Sequence, residues 1–196
     1  MKKIFLKIFI ALISLFVYGT NSDALNVMTH KAINTYISQN ILNGVSLDIY
    51  SKTQLGFGNG IKEEFNSLMI WEWLRDGGEY EDIPYWYTPY FRSVNHFHNP
   101  LNDQGYSGFW GTGIMSGISS MQWALLPQNT QSTLCLLGCY SWDDVRNYYY
   151  QALKSMDKST RENYFAQTFR GVGQLMHLIE DASVPSHGGV LKLVEI

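Results

Sequence analysis

The stretch HLIEDASVPSH, running from His177 to His187, sets two imidazoles and two carboxylates within eleven residues. Neutral imidazole and carboxylate are the donors that borderline and hard divalent cations accept. If one helix runs through the start of the stretch, His177 and Asp181 stand four residues apart and share a face. Pro185 is excluded from a helix interior, so the chain turns there and can swing His187 back toward that face. The same residues also fit a plainer arrangement, a partly buried His–Asp hydrogen bond with no ion.

Only three other histidines exist: His30, His96 and His98. His30 follows Thr29 near the start of an apolar-periodic segment, and His96 and His98 flank Phe97 in NHFHNP. Asp82 lies in GGEYEDIP, just after a Gly-Gly pair. Each of these, taken singly, is readable as an ordinary loop or core residue. Charged residues make up only 16% of the chain, and the grouping of its histidines near turns and helix starts favours a shared site.

The elements that must position these side chains read as helices. In NVMTHKAINTYISQNIL, Val27, Ala32, Ile33, Tyr36, Ile37 and Ile41 recur near helical period, with Asn26 and Thr29 as candidate caps. IKEEFNSLMIWEWLRDGG predicts a second helix from Ile61, stopped by Gly77-Gly78. A long segment rich in Pro, Gly and aromatics follows, of a length that usually carries function. GISSMQWALL predicts a short helix ending before Pro127. SWDDVRNYYYQALKSM opens with a capping-box pair, Ser141 and Asp144, and STRENYFAQTFRGVGQLMHLIEDAS predicts the longest helix. No stretch alternates with period two. The expected fold is all-α, a single domain of five or six helices with one elaborate loop.

Residues 1–24 stand apart. Lys2, Lys3 and Lys7 precede the apolar run IFIALISLFVYG, and Ser22-Asp23-Ala24 offers small residues for cleavage before Leu25. This predicts an export signal and a periplasmic or secreted protein, with residues 25–196 as the domain. Of the 14 basic and 17 acidic side chains, three Lys and one Asp fall in that signal, leaving 11 and 16, a balance of −5. That balance, with no basic run, counts against a phosphate-backbone binder. Export permits a disulfide between Cys135 and Cys139 in CLLGC, though two free thiols fit as well. The aromatics of YWYTPYF and FWGTG could line a substrate pocket, face a membrane surface or simply fill the core.

THK, GGEYEDIP, NHFHNP and HLIEDASVPSH, in this order and at these intervals, resemble the zinc-dependent phospholipase C family, whose all-helical fold is shared with single-strand-specific nucleases. The resemblance spans residues 25–187 and implies a cluster of up to three zinc ions hydrolysing phosphate esters. Carried over, Asp82, His96, His177 and Asp181 would hold one zinc. His30 and Asp181 would hold a second, with the α-amino nitrogen and carbonyl oxygen of the mature N-terminal residue. In the nuclease branch that residue lies five before the histidine, which is Leu25 here, the residue that cleavage after Ala24 exposes. Asp82 would also orient or deprotonate the attacking water. His187 matches the first ligand of the third zinc, and His98 matches no ligand.

The family supplies a further histidine and carboxylate downstream of His187, where this sequence reads GGVLKLVEI with Glu195 its sole carboxylate. The resulting expectation is a domain lacking its C-terminal part, two bound ions and reduced turnover. Three functional readings follow: a phospholipase C-like phosphodiesterase acting on phospholipid or another phosphodiester; a nuclease acting on single-stranded nucleic acid, disfavoured by the acidic balance; and a non-catalytic, metal-stabilised structural or interaction domain. Head group and oligomeric state have no sequence signal.

Overall fold

A computed structural model describes residues 25–82, 92–107, 113, 116–126 and 140–184. Among these, six α-helices form the frame: α1 Val27–Gln39, α2 Leu47–Thr53, α3 Ile70–Tyr80, α4 Ser120–Ala124, α5 Trp142–Lys154 and α6 Lys158–Ala182. Of the two candidate caps for α1, Asn26 takes the role and Thr29 lies inside the helix. The Asn26 side chain accepts from the Thr29 backbone N–H, and Ser141 and Asp144 cap α5 reciprocally. Asp157 starts α6 by accepting from the N–H of Thr160 at 2.7 Å.

Beyond helix α2, which the sequence reading did not anticipate, two features depart from it. Two small antiparallel hairpins are present, β1 Ile41–Leu42 with β2 Val45–Ser46 and β3 Glu64–Phe65 with β4 Leu68–Met69. Their turn residues, Asn43-Gly44 and Asn66-Ser67, all have positive φ, as two-residue hairpin turns require. Two residues per strand are too few to show alternation, so they escape a periodicity search. The predicted second helix therefore begins at Ile70 rather than Ile61.

The second departure is at Gly77-Gly78, which do not stop α3. The helix runs through them to Tyr80. A Cβ on Gly77 would lie 2.3 Å from the carbonyl oxygen of Arg170, and one on Gly173 would lie 2.3 Å from that of Leu74. These glycines let α3 and α6 touch backbone to backbone, which is why they stand inside helices despite their low propensity. Buried Asn34 of α1 secures the crossing by donating to the carbonyls of Leu74 and Gly173, at 2.9 and 3.3 Å.

Helix α6 is the spine, packed mainly on α3 and α5, with α1 against α3. One core cluster gathers Phe57, Phe65, Ile70, Leu74, Phe165 and Phe169, and a second centres on Trp123 and Leu178. Among the described residues no helix is long and apolar enough to cross a membrane. Cys135, Cys139, His187 and the signal residues lie outside the described residues.

Candidate metal centre

Helix α6 carries His177 and Asp181 on its buried face, as their spacing predicts, because the helix persists to Ala182. Helix α1 presents His30, and α3 ends so that Asp82 follows it directly. A 3-10 turn, Arg92–Asn95, delivers His96 to the same point. His30 and His177 are fully buried, and Asp181 and His96 nearly so. Asp82 keeps 22% of its side chain exposed.

The five donors converge. Asp181 Oδ2 lies 2.8 Å from His96 Nδ1 and 3.0 Å from His177 Nε2, and its Oδ1 lies 3.3 Å from His30 Nε2. Asp82 Oδ1 is 3.7 Å from His96 Nδ1 and 3.8 Å from His177 Nε2. The His30 and His177 rings stack at 3.5 Å between centroids. Two overlapping triples, His30/His177/Asp181 and Asp82/His96/His177, have their ligand atoms within 4.8 Å of one another and could each hold a metal ion. His177 belongs to both, and Asp181 aims one oxygen at His30 and the other at His96 and His177.

Behind this layer, each imidazole has a group facing its outward nitrogen. His177 Nδ1–H donates to the Gly78 carbonyl at 2.6 Å, and His30 Nδ1–H to Glu180 Oε2 at 2.6 Å. Both contacts leave Nε2 as the nitrogen facing the cluster. His96 turns its Nε2 toward Glu81 Oε1, 3.8 Å away. Glu81, itself fully buried, accepts from Arg92 at 3.0 and 2.7 Å, from Trp123 at 2.8 Å and from Gln174 at 2.9 Å.

Charge follows geometry. Burial opposes a proton on His30, but the carboxylates of Asp181 and Glu180 on either side of the ring outweigh it and raise the pKa to about 9. Burial likewise opposes protonation of His96, and Asp181 and Glu81 overcome it, again to about 9. Burial pushes Glu81 upward, yet the Arg92 charge and then His96 bring it down to about 2. A site that pulls protons onto imidazoles is one that attracts cations generally. His30 Nε2 is buried and, among the described residues, makes no hydrogen bond beyond facing Asp181 Oδ1 at 3.3 Å, the kind of nitrogen that an ion satisfies.

Five of the sequence-proposed ligands, His30, Asp82, His96, His177 and Asp181, thus meet. Leu25 directly precedes the helix cap and is half-buried, and among the described residues no hydrogen bond joins it to the cluster. His98 stands apart, its Nδ1 2.8 Å from Ser119 Oγ. Sequence reasoning missed Glu81 and Glu180. Their signal was faint: each sits immediately before a ligand aspartate in a chain poor in charge, and Glu180 lies one helical step from His177.

Neither family models, curated proteins nor solved structures provide a match to this chain.

Proposed function

We propose that this cluster is a divalent-metal centre, with zinc as its ion, and that the protein is a phospholipase C-like phosphodiesterase. The observation carrying the metal assignment is the meeting of three imidazoles and two carboxylates from four separate segments. The choice of zinc follows from the nitrogen-rich donor set. The phosphodiester assignment follows from the sequence resemblance. A divalent ion there would supply positive charge that acidifies water and polarises a phosphoryl oxygen.

The chain's own groups divide the remaining work. His30, His96, His177 and Asp181 are buried and hold fixed positions. Asp82 alone of the five reaches solvent appreciably, so it is the carboxylate that can orient an incoming water and accept its proton. A second reading, a metal-stabilised domain without turnover, is favoured by the way the cluster ties α1, the end of α3, the 3-10 turn and α6 together.

The test pairs elemental analysis after dialysis with two assays, head-group release from phosphatidylcholine and cleavage of single-stranded DNA. Bound zinc with head-group release is the expected result. DNA cleavage alone would turn the reading to the nuclease, bound metal without either activity to the structural domain. Absence of bound metal refutes the centre itself.

A further inference from the structure

The deepest unexplained group beside the cluster is Glu180. It is 9% exposed, and among the described residues its side chain has one polar partner, His30, through Oε2 at 2.6 Å. Its Oε1 is buried and has no hydrogen-bond partner among the described residues. Burying a carboxylate costs free energy unless it is well paired. Glu81 repays that cost structurally, by accepting from Arg92, Trp123 and Gln174 on three different elements. Among the described residues the Glu180 side chain holds nothing but one imidazole nitrogen.

We infer that Glu180 is a positioning residue for the metal centre: it fixes the His30 ring and its Nδ1–H tautomer so that Nε2 faces the ion. This rests on the cluster being a metal centre. Three features support it. His30 rotates about a bond at the first turns of α1, far in sequence from α6, so only a tertiary contact can set its angle. The Glu180 contact occupies Nδ1, and Nε2 points into the cluster, at Asp181 Oδ1, 3.3 Å away. A carboxylate accepting from the far nitrogen also makes the ring a stronger donor toward a cation. Helical geometry provides the device economically, since Glu180 and Asp181 are consecutive on α6 and grip opposite nitrogens of one ring.

The experiment compares wild type, Glu180→Gln and Glu180→Ala. The glutamine keeps an acceptor and removes the charge, and alanine removes both. Zn2+ affinity is read by competition with a chelating dye at one fixed pH. Alanine is expected to weaken binding by about 10- to 100-fold, and glutamine by less. Imidazole 15N shifts of the metal-free proteins, held above the His30 pKa of about 9, read the tautomer directly. Wild type and Glu180→Gln should carry the proton on Nδ1, and Glu180→Ala should shift it toward Nε2. A merely structural residue would lower the melting temperature without moving tautomer or affinity, and that result overturns the inference. If wild type binds no Zn2+, the metal reading fails separately, and an unchanged tautomer in Glu180→Ala then refutes the positioning role as well. Should the alanine variant not fold, glutamine still decides: a proton that leaves Nδ1 while the acceptor remains contradicts the proposed contact.

Discussion

At the residue scale, Asp181 is the side chain on which the cluster turns. Its two oxygens face three imidazoles, so Asp181→Asn should release metal from the His30/His177/Asp181 triple and weaken the neighbouring one, whereas Asp82→Asn should keep at least one ion and lose turnover. Elemental analysis beside a phosphodiester assay separates the two. The raised pKa values make a second prediction. His30 and His96 both titrate near 9, so at pH 7 both are protonated and an entering ion displaces about two protons. Apparent metal affinity should therefore climb steeply with pH and level off above about 9, with proton release measurable by calorimetry in buffers of different ionisation enthalpy. For the metal-free protein the sign reverses. Folded values lie above the unfolded 6.5, so this stabilisation is complete below pH 6.5 and is lost as pH rises through 9. A melting temperature that rises over that interval contradicts the assignment.

At the element scale, the crossing of α3 and α6 decides whether the ligands meet. Gly173→Ala pushes a methyl into the Leu74 carbonyl, and with backbone on both sides neither helix can yield cheaply. Overpacking of this kind costs roughly 1–3 kcal/mol, readable by urea unfolding, and should also weaken metal binding by parting His177 from Asp82. Glu81→Ala acts differently. It removes the carboxylate paired with buried Arg92 and an acceptor of Trp123 and of Gln174, a loss on the order of 3–5 kcal/mol as for other broken buried ion pairs. Most of the helices were legible from periodicity and caps: Asn26, Ser141–Asp144 and the length of α6 stand where the pattern put them, whereas the seven-residue α2 went unread. The hairpins were not, because two-residue strands carry no period. Gly77-Gly78 misled because local propensity marks glycine as a terminator, while here the α6 backbone facing Gly77 and the Asn34 side chain facing Gly78 require it.

At the scale of the whole molecule, the cluster works as a clasp. It joins α1, the loop after α3, the turn before His96 and the far end of α6 at one buried point. An ion present at about a thousand times its dissociation constant stabilises a fold by roughly 4 kcal/mol. Chelation should therefore lower the melting temperature by several degrees and open the region around residues 92–99 to proteolysis first, as limited digestion with and without EDTA would reveal.

The sequence by itself determined the donors. Residue type decides which atoms can bind a cation, and helical period decides that His177 and Asp181 share a face, so both were readable without coordinates. It also determined that the framework is helical. Only the tertiary structure decided that His30 and His96 arrive at that face, that Asp181 divides its oxygens between them, and that Glu180, Glu81 and the Gly78 carbonyl stand behind the rings. The reason is physical. A ring's orientation and a buried acceptor depend on contacts between segments up to 150 residues apart, and no local pattern of hydrophobicity or propensity encodes that distance.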